Sequence, residues 1–267
     1  MTRRAPQNRD FRVILPKKGR LRDDFSRLCE QAALSYCPAG DRLDYGILRD
    51  TENSSEARAD MTAEALAQRA SDAITTIRSG AADMAVVGLD SYEEARCSAM
   101  EKGQDFPLRI SRAFNLSACA LKLAAPPTLK IETSQDLAGL TIATSFPSLL
   151  RAWLRQQNVR DVAIYECDGG VEDSVRLGLA DLVCDLVDTG NTLKANNLVP
   201  SLTLLESSAV LVERKGTWSA EQTAMANKLR DRLSGTESAR NSKAAARYPD
   251  LPARDAVPLY EIAGAAI

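Results

Sequence analysis

The 267-residue chain contains no histidine. That absence excludes the Ser-His-Asp and Cys-His devices that activate a nucleophile, and it excludes metal centres ligated by imidazole. Whatever chemistry the chain performs runs on carboxylates, Lys and Arg, hydroxyls, backbone amides or a loosely held Mg2+. Aromatics are scarce at 5%, while hydrophobic residues reach 45%, the composition of an ordinary globular core. A basic surplus is missing as well. A formal charge of −2 and a pI near 5.5 leave nothing to neutralise a phosphate backbone, so nucleic acid is not an expected partner, although a local anion site stays open. The six cysteines (Cys29, Cys37, Cys97, Cys119, Cys167, Cys184) include no C-x-x-C pair, and most sit in apolar runs. Such thiols behave as small hydrophobes, the pattern of a reduced cytoplasmic protein rather than a disulfide framework. Long apolar runs are absent too: FRVIL, after the basic MTRRAPQNRD, is cut short by PKKGR. It falls far below the ~20 residues that span a bilayer, so neither secretion nor membrane insertion is expected.

What is present alternates. Short β-branched or aliphatic runs at 11–15, 83–88, 118–125, 139–145, 161–167 and 181–187 are separated by amphipathic stretches, the pattern of a mainly parallel sheet covered by helices. Helices are expected over 21–34, over Leu66 to Ser79 with Gly80 as the stop, and after Pro147, which suits a first helical turn. Residues 50–63 read as a polar surface loop and 201–214 as a strand pair. From Ser219 an Ala-rich polar helix is expected to run to about Ala246, so that the last fifty residues form an appendage.

One stretch carries chemistry. In DLVDTGNTLKANNL, from Asp185 to Leu198, a strand ends in Asp-x-x-Asp-Thr-Gly-x-Thr and hands over to a helix. Such a junction presents turn amides, two threonine hydroxyls and the positive helix end at one point, which suits a phosphate, and the glycine lets the backbone close around it. The two acids fit if the phosphate belongs to a sugar, whose hydroxyls donate to carboxylates, or if they hold Mg2+. An ordinary capped helix after a strand is the competing reading of these residues alone.

The segment GGVEDSVRLGLADLVCDLVDTGNTLKANNL (169–198) closely resembles the signature of the ATP phosphoribosyltransferase family. LPKKGRL (15–21), RASDAITTIRSGAADMAVVGLD (69–90) and LTIATSFPSLLRAWL (140–154) resemble further blocks of that family, in the same order. The resemblance implies a two-lobed α/β fold like the type II periplasmic binding proteins, with a ligand cleft between lobes and a C-terminal helical tail. It puts residues 1–104 and 186–218 in the first lobe, 105–185 in the second, and 219–267 in the tail. The implied reaction joins the phosphoribosyl group of phosphoribosyl pyrophosphate (PRPP) to N1 of ATP and releases pyrophosphate, the first step of histidine biosynthesis. Mg2+ would arrive with the PRPP. By the same resemblance Asp188, Thr189, Gly190, Asn191, Thr192 and Leu193 grip the 5′-phosphate, while Asp185 and Glu172 lie near the ribose or metal. Arg42 and Arg69 stabilise the departing pyrophosphate, a role that suits a guanidinium fork, and Lys17, Gly19 and Arg20 serve the nucleotide. The partners implied are ATP, PRPP, further copies of the chain and, in one form of the enzyme, a separate regulatory subunit.

Three departures stand out. In NLSACALKLA (115–124), Ser117 and Ala118 occupy positions where the family has glycine, and Ala120 replaces an arginine. The spacer between Arg42 and Arg69 is long and polar. The tail is too short for the histidine-sensing domain of the family's long form. A non-catalytic PRPP- or nucleotide-binding paralogue is therefore the rival reading. A periplasmic solute receptor is a third, disfavoured by the missing signal sequence.

Overall fold

A computed structural model describes residues 10–39, 42–51 and 61–235, without the side chains of residues 42 and 43. In chain order the elements are β1 (Arg12–Pro16), α1 (Arg20–Gln31), β2 (Leu34–Ala39), β3 (Arg42–Asp50), β4 (Thr62–Gln68), α2 (Ala70–Arg78), β5 (Met84–Gly88), α3 (Leu89–Glu101), β6 (Leu108–Ala113), β7 (Cys119–Ala125), a single 3-10 turn (Ser134–Leu137), β8 (Thr141–Thr144), α4 (Pro147–Gln156), β9 (Ala163–Glu166), α5 (Val171–Arg176), β10 (Leu182–Val187), α6 (Asn191–Ala195), β11 (Val199–Ser207), β12 (Ala209–Arg214) and α7 (Ala220–Ser234). They form two sheets, one of seven strands in the order β2-β3-β4-β1-β5-β12-β6 and one of five in the order β11-β7-β10-β8-β9. An α/β fold forms as expected, but not around a mainly parallel sheet: among the described residues four of the ten strand pairings are parallel and six are antiparallel, spread over two sheets.

Two compact units follow from the pairing. One takes the described residues up to Tyr92, Asp105–Ser117 and those from Ser208; the other takes Glu93–Gln104 and Ala118–Ser207. These boundaries differ from the expected lobes, because long-range partners outweigh sequence order. β6 pairs with β12 in the seven-stranded sheet (Val210 opposite Ala113), whereas β11 pairs with β7 in the five-stranded one (Ser207 opposite Cys119). The 201–214 stretch is thus two strands, as expected, but they belong to different sheets.

In the first unit β4, β1 and β5 run parallel. The three apolar residues buried on α1, Phe25, Leu28 and Cys29, recur at helical spacing and pack with Val13, Leu15, Leu34 and Leu48. Leu66 to Gln68 had been expected to open a helix. They close β4 instead, since pairing with β1 on one side and β3 on the other overrides the helical composition of TAEALAQ, and α2 starts at Ala70. The expected 50–63 loop is also shorter at both ends, with Asp50 inside β3 and Thr62 inside β4; residues 52–60 lie outside the described part. α7 is no appendage. Ser219 and Gln222 close a reciprocal capping box at 3.1 Å, and Ala226, Leu229 and Leu233 join the core of this unit. Arg230 faces buried Glu213 at 3.3 Å, Arg109 pairs with the same carboxylate, and Arg232 pairs with Asp50. The helix expected to reach Ala246 is described only to Ser234.

In the second unit β10, β8 and β9 run parallel and β7 runs antiparallel to β10. A core of Ala124, Ala143, Val171, Val183, Leu193 and Leu198 holds the sheet to α5 and α6. Glu94 of α3 caps α4 by accepting the Ser148 and Leu149 N–H groups at 3.0 and 2.7 Å, beside the expected Pro147 at the helix start. Among the described residues no helix is long and apolar enough to cross a membrane.

Candidate active site

The parallel strands of the second unit end at Val187, Thr144 and Glu166, with β10 running three residues past its neighbours, and a helix starts beyond each of these ends. The carboxyl edge of a parallel sheet is where α/β folds place ligands, because helix N-termini gather there. The Thr144 hydroxyl ties two of the connections, donating to the Cys184 carbonyl at 2.7 Å and accepting the Phe146 N–H at 2.9 Å. Gly190 stands at φ 75°, in the left-handed region, as the N-cap of α6. The first helical bond closed there is Lys194 N–H to the Gly190 carbonyl, so the amides of Asn191, Thr192 and Leu193 have no carbonyl acceptor within the helix. Asp188, Thr189, Asn191 and Thr192 are exposed on this junction. Leu193 is different: its side chain is buried in the core, leaving only its backbone to face a ligand.

Asp185 sits two residues before the end of β10. Burial, reinforced by the nearby Glu172 charge, pushes its carboxyl up from 3.8 to about 6, against the opposing Leu186 N–H donated at 2.8 Å. Glu172 lies in the first turn of α5, behind Gly169 and Gly170, both at positive φ. Lys122 of β7 stands opposite Asp185 in the ladder, a neighbour that only the pairing reveals. The structure thus brings Glu172, Asp185 and the 188–193 turn to one edge of one sheet. Three cysteines are far from reactive: burial raises the Cys29 and Cys97 thiols to about 12 and pushes Cys184 up as well. None of the six cysteines forms a disulfide.

The remaining candidates gather on the corresponding edge of the first unit. The Lys17 N–H donates to the Gln68 carbonyl at 3.1 Å, joining the ends of β1 and β4, and Lys17 Nζ pairs with Asp44 at 2.6 Å. Gly19, at φ 76°, turns the chain into α1, whose first residue is the exposed Arg20. Arg69 is exposed at the N-cap of α2. Arg42 opens β3, whose neighbour β4 closes at Gln68, one residue before Arg69. Asp83 and Asp90, which flank β5, are buried. Asp83 accepts the Arg12 N–H at 2.9 Å and faces Arg214 at 3.6 Å, which gives it a structural place.

The model of the family described as ATP phosphoribosyltransferase (HisG) matches residues 69–235. The chain belongs to the ATP phosphoribosyltransferase family. A curated relative, the ATP phosphoribosyltransferase of Stenotrophomonas maltophilia, is 34% identical over 211 residues, which cover 79% of this chain and 65% of that protein. The chain therefore spans somewhat less than two thirds of that relative. Among solved structures, the ATP phosphoribosyl transferase (HisG:HisZ) complex from Thermotoga maritima is similar with a TM-score of 0.61 at 20% identity, covering 85% of this chain and 100% of that one. The VFT2 domain of Bordetella pertussis BvgS follows with a TM-score of 0.53 at 14% identity, covering 89% and 92%. At these identities the likeness is one of fold, that of the periplasmic-binding-protein type.

Among the described residues no three carboxylates or thiols form a ready metal cage. Mg2+ commonly binds through one or two carboxylates and substrate phosphates, and Asp185 and Glu172 supply two carboxylates at this edge.

Proposed function

We propose that this chain transfers the 5-phosphoribosyl group of PRPP to N1 of ATP and releases pyrophosphate, as the first enzyme of histidine biosynthesis. The observation that carries the reading is the edge of the second unit, where the Gly190 turn, first-turn amides without helical acceptors and an acid held near pH 6 come together in a chain of this family. In this reading the amides of 191–193 and the hydroxyls of Thr189 and Thr192 hold the 5′-phosphate. Asp185, ionised above pH 6, and Glu172 accept hydrogen bonds from the ribose hydroxyls. The N1 lone pair of adenine forms the new bond at ribose C1, and the C1–O bond breaks with its electron pair leaving on pyrophosphate. Arg42 and Arg69 take up that charge, while Lys17, Gly19 and Arg20 hold the nucleotide. Mg2+, bound with PRPP and held by Asp185 and Glu172, would supply further neutralisation of the diphosphate. No residue needs to become a covalent nucleophile, which suits a chain without histidine.

The reading also implies a cytoplasmic, oligomeric protein with ATP and PRPP as ligands, served by a separate regulatory subunit in one form of the family. Purified chain is incubated with ATP, PRPP and Mg2+, alone and with a candidate regulatory subunit. Phosphoribosyl-ATP is the expected product. Tight PRPP binding with no product under either condition would replace this reading with the non-catalytic paralogue.

A further inference from the structure

Ser117 stands at φ 51°, a left-handed conformation that residues with a Cβ avoid. It is held there from α1. The Asp24 Oδ2 accepts both the Ser117 N–H at 3.1 Å and the Ser117 hydroxyl at 2.6 Å, while the Asp24 Oδ1 pairs with Arg27 at 2.5 Å. A charged acceptor that takes both donors of one residue fixes its backbone as well as its side chain. The position matters because Ser117 is the last residue of the first unit before the chain enters the second. β7 begins two residues later, and its Ala120 stands opposite Val187, the residue before Asp188. The backbone at Ser117 therefore leads, two residues on, into the strand that borders the junction of 188–193. Asp24 itself lies on the helix that opens at Arg20, so one carboxylate ties that helix to the crossing segment.

We propose that Asp24 and Ser117 form a latch that orients the crossing segment for phosphoribosyl transfer, which makes Asp24 a positioning residue; the proposal rests on the functional reading above. Without the carboxylate the Ser117 N–H loses its acceptor and the positive φ loses its support, so the segment relaxes toward ordinary backbone. Glycine needs no such support at positive φ. A glycine at this position should make the latch dispensable.

Four full-length proteins test this: the parent, Asp24→Ala, Ser117→Gly and the double variant. Each is measured for phosphoribosyl-ATP formation and for amide hydrogen exchange over 119–121. Asp24→Ala is expected to lose about tenfold in kcat/KM, mainly through kcat, with faster exchange at 119–121. Ser117→Gly should stay within about twofold of the parent, and the double variant should recover most of both readouts. If Asp24→Ala does not fold, Asp24→Asn, with a weaker neutral acceptor, carries the same expectation at smaller size. Parent-like activity of the Asp24 variants, or a double variant as impaired as Asp24→Ala, overturns the latch. A parent that makes no phosphoribosyl-ATP either by itself or with the candidate regulatory subunit defeats only the functional reading. Exchange then decides the latch, and protection at 119–121 unchanged by Asp24→Ala rejects it.

Discussion

Replacing Asp185 with asparagine should stabilise the ligand-free protein, and by an amount that depends on pH. The Asp185 carboxyl titrates at about 6 in the folded chain against an ordinary 3.8. Between those values the folded state holds a proton that the unfolded state has released, so stability falls as pH rises through that window. Below 3.8 both states are protonated and nothing is lost; above 6 the full cost of an ionised, largely buried carboxylate beside Glu172 is present. At about 1.4 kcal/mol per pH unit the difference amounts to about 3 kcal/mol. Asparagine keeps an acceptor for the Leu186 N–H and removes the charge, so a gain of about 1–3 kcal/mol is expected at pH 8 and almost none at pH 4. Denaturant unfolding of the two proteins at both pH values measures it, with equal slopes required for the comparison. The same variant should bind PRPP more weakly by about one order of magnitude, because it gives up a charged acceptor. An equal gain at pH 4 and pH 8, or a loss at pH 8, would refute the reasoning. A carboxylate kept at a stability cost is what a ligand-binding position predicts.

Thr192→Ala should raise the Kd for PRPP about tenfold or more by removing the hydroxyl that the proposed function assigns to the phosphate, with a smaller change in kcat, as read by calorimetry and steady-state kinetics. Arg69→Ala should do the reverse, lowering kcat by about 100-fold while PRPP affinity changes little, since in the proposed reaction its charge meets the departing pyrophosphate. Leu229→Ala, at a site 1% exposed in the core, should cost about 2–4 kcal/mol by denaturant unfolding; a cost near zero would mean that α7 does not belong to that core.

The parts of the molecule legible in the sequence are those where one local segment contains the whole signal. The strand at 181–187, the turn at Gly190 and the helix after it form as expected because the glycine conformation, the acids and the hydroxyls are adjacent in the chain. The same holds for Pro147 at the start of α4 and for Gly80, at φ 78°, after α2. What was not legible depends on partners far away in sequence. β3 and β6 carry mixed, weakly alternating sequences and exist by pairing with β4 and β12, and β2 in turn by pairing with β3. The assignment of β6 and β11 to their units is likewise a matter of which strand lies beside them, and Leu193 reads as a ligand residue until the core closes over its side chain. Asp185 was visible as an acid, but its titration near neutrality arises from burial and from Glu172, thirteen positions earlier, and neither is printed in the residue itself.

Ser117 shows how a departure from a family pattern can be read in two ways. From sequence, a serine where relatives carry glycine suggests an obstruction, and so favours a chain that has lost its reaction. The structure shows that the backbone at this position still takes the conformation that glycine would supply, with φ at 51° and two hydrogen bonds to Asp24 holding it there. A position that had drifted free of its role would be expected to relax to negative φ, because an unsupported left-handed serine costs roughly 1–2 kcal/mol. In this chain the support for that conformation comes from a side chain, Asp24, that can be removed and restored.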